Sequence, residues 1–322
     1  MKEKKHKKKK LHPFLKGFIG CMIILAVLFG GAGFLVSVVL YGRMNYSEIE
    51  GLSKEPFKED GVKNILLIGN DSRTEDESGR SDAMILISIS SRTHSVHMTS
   101  ILRDIYVDIP GHDGNRLNAA YAYGGPELLL ETLEENFDVE VNRYMLVNFQ
   151  AFANLIDAVG GVDLDVTNEE VQYINGYLVE YNQLENRPEG TDYLDTSLSG
   201  NIHLNGPQAL AYCRNRYIGS DFARTERQRK VLSAAMKKLP LSLAANGGEL
   251  IDGVMSNITT NLTRSELNGL VLQAPAMLTY DVVQGSIPLE GTYSNATIRG
   301  MAVLEVDFEA NNEYIRTEIY GD

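Results

Sequence analysis

From Gly17 to Gly42 the chain reads GFIGCMIILAVLFGGAGFLVSVVLYG, twenty-six residues without one charged side chain. At ~1.5 Å rise per residue such a run extends ~39 Å as a helix, more than the ~30 Å of bilayer hydrocarbon. No other feature constrains the fold as strongly. The spacing predicts a tilted transmembrane helix over 17–42 that ends near Tyr41, an interfacial type of residue. A cleaved signal peptide fits less well, because the apolar run is too long and GGAGF makes a poor cleavage site. The sixteen residues before it, MKEKKHKKKKLHPFLK, hold eight lysines and one glutamate. Positive charge beside a spanning helix stays cytoplasmic, which places everything after Arg43 outside the cell membrane. A lysine tail also attracts nucleic acid, but here topology accounts for it.

Past that tail the charge reverses, with 22 basic against 42 acidic side chains. An outward-facing acidic domain is a poor nucleic-acid binder, so no nucleic-acid partner is expected. Residues 43–60 are polar, contain Pro56 and read as a stalk. Residues 61–322 have no internal repeat or Gly/Ser linker and read as one extracellular domain with a single large core. Cys213 is the lone cysteine outside the span, which excludes an intramolecular disulfide framework and suggests a small buried hydrophobe.

Within the domain, NILLIGN (64–70), DAMILISISS (82–91) and SVHMTSILRD (95–104) read as strands, the last two as a hairpin. LNAAYAYGGPELLLETLEENF reads as helix broken at GGP. YMLVNF follows as strand, QAFANLIDAVGG as helix with a glycine stop, and VDLDV as strand. Residues 167–201 are polar and, apart from VQYINGYLVEYNQL, aperiodic, and read as a surface excursion. GPQALAYCR is a short helix and SDFARTERQRKVLSAAMKKL a longer one. Thr263–Glu266 is a capping box ahead of LNGLVLQA. This alternation indicates an α/β sandwich with a mixed central sheet.

Five arginines and a lysine crowd into RNRYIGSDFARTERQRK, from Arg214 to Lys230. Arg214 and Arg216 are two apart, pointing one way if extended. Arg224, Arg227 and Gln228 share a helical face, while Arg229 falls on another side, toward solvent. Charged groups also stand where strands end: Asp71 and Arg73 in NDSR, Arg80 and Asp82 in GRSD, Arg103 and Asp104 in LRD. Strand ends are where α/β sheets bind ligands. Planar guanidinium forks suit phosphate oxygens, and a group of them suits a pyrophosphate. Carboxylates would repel that ligand unless a hard cation sat between, and Mg²⁺ held by Asp71 and Asp82 meets the need. A network of surface salt bridges is the bland alternative. His94 and His97 face opposite sides and do not share a metal. No GxxxxGK[ST] loop, GxSxG elbow or Ser–His–Asp grouping is present.

At these residues the chain resembles the LytR–CpsA–Psr family of Gram-positive cell-envelope proteins. The matching pieces are NILLIGNDSR, GRSDAMILISI, SILRD, RLNAAYAYGG, GGVDLDV and HLNGPQALAYCRNRY…SDFARTERQRKVL, in the family's order over most of 62–240. The basic tail and single membrane helix match too. The resemblance implies an α/β/α sandwich with a hydrophobic tunnel for a polyprenyl chain. It implies transfer of a glycopolymer, such as teichoic acid or capsule, from polyprenyl pyrophosphate to a peptidoglycan hydroxyl, releasing polyprenyl phosphate. By motif position it implies Mg²⁺ (or Mn²⁺) on Asp71 and Asp82. Arg80, Arg103, Arg214, Arg216, Arg224 and Gln228 would surround the pyrophosphate, and Asp221 and Arg103 would serve catalysis. Arg73, Asp104, Arg116 and Arg227 would support them. Two departures stand out: Leu102 where the family usually has proline in SIPRD, and Arg116 where it often has lysine.

Two rival readings share the residues. One is a hydrolase, with water replacing the sugar hydroxyl. The other is a membrane-anchored, non-enzymatic sensor of lipid-linked glycans, against which the sixteen-residue tail counts as too short for a signalling domain.

Overall fold

A computed structural model describes residues 41–49, 61–70, 81–254, 258–277 and 279–321 of the 322-residue chain. The strands and helices follow in order as β1 (Asn45–Tyr46), β2 (Val62–Asn70), β3 (Ser81–Ser90), β4 (Ser95–Ile101) and the short pair β5 (Tyr106–Val107) and β6 (Asn115–Arg116). Next are α1 (Leu117–Phe137), β7 (Tyr144–Asn148), α2 (Phe149–Ala158), β8 (Val162–Val166), α3 (Asn168–Leu184), β9 (Gly200–Leu204) and α4 (Gly206–Arg214). The chain then runs through α5 (Asp221–Val254), β10 (Ile258–Thr260), α6 (Arg264–Met277), β11 (Asp281–Ile287), β12 (Tyr293–Ile298), β13 (Met301–Val306) and α7 (Phe308–Tyr314). A π-helical turn, Ile315–Tyr320, closes it. Among the described residues no helix is long and apolar enough to cross a membrane. The expected span at 17–42 lies outside them except for Tyr41 and Gly42.

Seven strands form one mixed sheet in the order β1-β10-β7-β2-β3-β4-β11. β2 and β7 run parallel, as do β4 and β11, while β3 is antiparallel to both its neighbours. This arrangement brings the end of β2, the start of β3 and the end of β4 to one edge. Alternation along β2 and β3 sorts their side chains. Leu66, Ile68, Met84 and Leu86 join the core built with α1, whose Leu129, Leu130 and Leu133 are fully buried. On the opposite face Ile65 packs toward Leu262 and Met145. A second core beside the sheet is built from Ile156, Val171, Ile174, Leu178, Leu204, Ala209 and Val231.

Local chemistry explains most boundaries. In α1, Gly124 (φ −144°, ψ 21°) and Gly125 (φ 65°, ψ −155°) interrupt the helix, as GGP predicts, and Pro126 opens its second segment. Asn148 caps α2 through Ala151 N at 2.8 Å. Thr263 and Glu266 form the expected capping box, and Glu266 also receives the buried Arg143 at 2.6 Å. α4 begins with an Asn205–Gln208 box and Pro207. Its first residue, Gly206, lies so close to α2 that a Cβ there would collide with the Ala153 carbonyl. The Gly206 N–H donates to Asp157 at 2.6 Å.

The excursion expected over 167–201 is corrected by the structure. Its first half is the helix α3, started by a complete capping box in which Thr167 and Glu170 satisfy each other's backbone N–H. The helix buries only Val171, Ile174 and Leu178 among its apolar residues, a narrow stripe masked by polar neighbours. The third strand also ends earlier than expected, at Ile101. There the Leu102 N–H donates to Ile287 O at 2.9 Å, a bond a proline could not make.

Candidate active site

The edge shared by β2, β3 and β4 carries the charged groups, and one irregularity aims the central one. Gly69 pairs with Ala83 but Asn70 pairs with Ser81, so Asp82 is an extra residue without a cross-strand partner. Such a bulge bends the strand and redirects its side chain. Asp82 receives Arg103 on Oδ1 at 2.6 Å and Arg216 on Oδ2 at 2.5 Å. Burial works against the charge of Asp82, but Arg216 and Arg103 outweigh it and hold the carboxyl below its ordinary range.

Arg103 is the hub. Besides Asp82 it approaches Asp221 at 3.3 Å and Asp104 at 3.5 Å. Its backbone is pinned where the strand has ended: Arg103 O accepts from Asn118 N, and Asp104 O accepts from Leu304 N. The Leu102 bond to Ile287 thus supplies a restraint at the position where a proline ring was expected. Burial raises the Asp104 pKa, and the neighbouring Asp221 carboxylate adds to the rise against the pull of Arg103 and Arg116. Arg116 reaches Asp104 at 3.6 Å while its Nε donates to Ala302 O.

The arginine-rich segment arrives from two helices. Arg214 is the last residue of α4, not part of an extended stretch, and its guanidinium lies over Phe149 (4.7 Å) and Tyr177 (5.4 Å). Arg216 still faces the same cavity. From α5, Arg224 is 2% exposed and reaches Asp221 at 3.1 Å. Its Nε and Nη1 are buried without a hydrogen-bond partner, and so is Gln228 Oε1. Desolvation lowers the Arg224 pKa, with Asp221 opposing. Arg214, Arg216, Arg224, Gln228 and Asp82 line one cavity of about 430 Å³, floored by Gly69 and Ala83 and walled by Phe149 and Tyr177.

Two residues go elsewhere. Arg227, expected on the face of Arg224 and Gln228, turns instead to Glu170 at 2.8 Å, because its 3-residue offset carries it to the flank where α3 packs. It also donates to Asn215 O (3.3 Å) and Ile218 O (2.9 Å), so it fixes the loop that presents Arg216. Arg229, expected in solvent, is only 8% exposed. α5 lies against β4 and β11, which covers the flank a lone helix would leave to water. Asp71, Arg73 and Arg80 fall outside the described residues.

Among the described residues no group of three His, Cys, Asp or Glu could by itself hold a metal ion. The donor set still fits a cation shared with phosphate: Asp82 is ionised, faces the cavity and keeps lone pairs beyond its two arginine bonds. The aromatic wall of Phe149 and Tyr177, and the role of Glu170, escaped the sequence reading. The Thr167-x-x-Glu170 pattern was the available signal for the latter. Cys213 is buried as expected and burial raises its thiol pKa far above the usual range.

Comparison with known proteins agrees with this geometry. The model of the LytR_cpsA_psr family matches residues 40–317. A polyisoprenyl-teichoic acid–peptidoglycan teichoic acid transferase, TagU, of Oceanobacillus iheyensis is 35% identical over 287 residues, covering 83% of this chain and 82% of that protein. The crystal structure of Bacillus subtilis TagT superposes with a TM-score of 0.63 at 26% identity, over 87% of this chain and 98% of that one. A structure of YwtF (TagT) with bound octaprenyl pyrophosphate lipid gives 0.61 at 25%, over 85% and 94%. The mixed sheet, the arginine-lined cavity at its edge and these matches together make the chain a member of the LytR–CpsA–Psr family.

Proposed function

We propose that the chain is a phosphotransferase that moves a glycopolymer from a polyprenyl-pyrophosphate carrier to a hydroxyl of peptidoglycan. The observation that carries the proposal is Arg224, a buried guanidinium with two unpartnered donors in the cavity that Arg214, Arg216 and Gln228 also line. Buried cationic donors without acceptors are a strong demand for a multivalent anion. The TagU relative is named for this transfer, and YwtF (TagT) holds octaprenyl pyrophosphate.

In the proposed reaction the arginines bind pyrophosphate oxygens and stabilise charge building on phosphorus and on the departing lipid phosphate. The acceptor oxygen forms a bond to phosphorus, and the bond to polyprenyl phosphate breaks. Asp221, between Arg103 and Arg224, orients the acceptor hydroxyl and receives its proton. Mg²⁺ or Mn²⁺, when bound, would be held by Asp82 with Asp71 and would neutralise phosphate oxygens.

The sheet face above which the cavity opens supports a lipid channel within an α/β/α sandwich. Leu67, Ile87, Met145 and Val147 lie on central strands yet are only partly buried there. A row of partly buried apolar side chains on one sheet face suits an isoprenoid chain. The proposal also takes 1–16 as cytoplasmic, 17–42 as a single membrane span and 61–322 as one domain facing a Gram-positive type of cell wall, with part of the expected stalk drawn into that domain, since Asn45–Tyr46 pairs with β10 and Ile49 joins the core. Tethering would raise the effective concentration of the lipid donor.

Incubation of the full chain with a polyprenyl-pyrophosphate glycopolymer and peptidoglycan tests the reading. A wall-linked phosphodiester is expected, and free polymer phosphate alone would mean a hydrolase. Arg103→Ala should lower turnover ~10²–10³-fold.

A further inference from the structure

The most exposed large apolar side chain among the described residues stands at the rim of the cavity. Tyr217 leaves 73% of its surface open, against 49% or less for every other such residue. A lone exposed ring needs no explanation, but Tyr217 lines the cavity mouth together with Tyr177 and belongs to a three-ring cluster, the kind of apolar patch that marks a binding surface. One of its faces rests on Tyr173 from α3, with centroids 5.3 Å apart and planes 11° from parallel, and Tyr177 tilts against it at 6.4 Å.

The ring is held, not loose. Asn215 Oδ1 accepts the backbone N–H of Tyr217 (2.9 Å) and of Ile218 (3.3 Å). Arg227 grips both ends of the same loop and is itself fixed by Glu170. A rigid, exposed aromatic beside a polar cavity is preorganised for a partner with one apolar face. Arg216, the residue immediately before it, bonds to Asp82 in the cavity. Whatever lies on Tyr217 would therefore stand next to a phosphate held in the cavity.

We propose that the Tyr217–Tyr173 stack is a platform for a pyranose ring, whose C–H face packs on the open side of Tyr217. The proposal rests on the phosphotransferase reading, because in that reaction a sugar must stand beside the phosphorus. Both the donor's first saccharide and the acceptor disaccharide of peptidoglycan have this chemistry. It also gives α3 a function: the helix carries the backing ring, Tyr177 and the glutamate that anchors the loop.

The test uses the full chain in detergent micelles. Affinities are measured for octaprenyl pyrophosphate and for octaprenyl pyrophosphoryl-N-acetylglucosamine, and KM for a peptidoglycan disaccharide-peptide. A donor platform predicts that Tyr217→Ala loses about tenfold more affinity for the sugar-bearing lipid than for the bare one. An acceptor platform predicts instead a KM for the disaccharide-peptide raised by about the same factor. In either case Tyr217→Trp should restore the lost interaction, which a merely structural role of the tyrosine would not allow. Equal losses for both lipids with an unmoved acceptor KM would overturn the platform, as would no loss at all. Should the unaltered protein bind neither lipid, the phosphotransferase reading falls first and the platform with it.

Discussion

Replacement of Arg224 by methionine separates stability from function at the centre of the site. In the unliganded protein this guanidinium is 2% exposed with Nε and Nη1 unpartnered. Each buried donor left dry costs ~1–3 kcal/mol, and the bond to Asp221 returns about 1.5–3. Methionine fills similar space with no donor to satisfy. Asp221, about a quarter exposed, keeps Arg103 as partner. With the long 3.4 Å bond to Asp82 O also lost, the terms nearly cancel, and the balance predicts an unliganded protein about as stable as the parent, with a melting temperature within roughly 4 °C of it. Ligand should separate the two. The parent gains ~2.7 kcal/mol when octaprenyl pyrophosphate is supplied at a hundred times its dissociation constant. The variant should show little of that gain, and turnover ~10²–10³-fold lower. Thermal unfolding with and without the lipid, beside a transfer assay, reads both. A variant that melts more than about 4 °C below the parent without ligand, or that turns over normally, would refute the reasoning.

Three further outcomes follow from other parts of the molecule. Glu170→Gln leaves the buried Arg227 without its counter-charge and should cost about 3–5 kcal/mol in denaturant unfolding, while a cost below 1 kcal/mol would mean the pair is dispensable. His97 is buried, shares a 2.7 Å hydrogen bond with Ser95 Oγ, and has its pKa lowered by burial against the pull of Glu318. The unfolded chain therefore binds the proton first, so stability should fall as pH drops below about 6.5 through the lower folded value. His97→Asn should flatten that slope, and an unchanged slope would place its origin elsewhere. Cys213, raised by desolvation, should resist iodoacetamide at pH 8 in the native state and react on unfolding. Fast native labelling would contradict its burial.

Much of the architecture was legible because short-range rules decide it. The runs at 64–70 and 82–91 are short apolar stretches bounded by polar and turn residues, Gly124–Gly125–Pro126 interrupts a helix for steric reasons, and Thr263–Glu266 caps one. What stayed hidden depends on partners distant in sequence. β11 pairs with β4 across some 180 residues, and nothing local in DVVQGSI names its neighbour. The bulge at Asp82 arises from register, which no single strand encodes. Arg214 and Arg216 were identified as converging, but through the wrong geometry, since the helix runs one residue further than extended pointing requires. Arg227 and Arg229 show the limit of helical phase alone: it tells which residues share a face, not which faces are covered.

The contact between α4 and α2 at Gly206 has a mechanical reading. With no side chain at that point the helix backbones touch, and the base of α4 is set by this contact while its length is buried among neighbouring helices. Arg214 stands at the far end, eight residues or ~12 Å away, where its carbonyl accepts from the Tyr177 hydroxyl. A single methyl wedged at the base would shift that end, and reactions that rely on sub-ångström alignment lose rate when a guanidinium is so displaced. A position that never meets substrate thereby governs how well the phosphates are gripped.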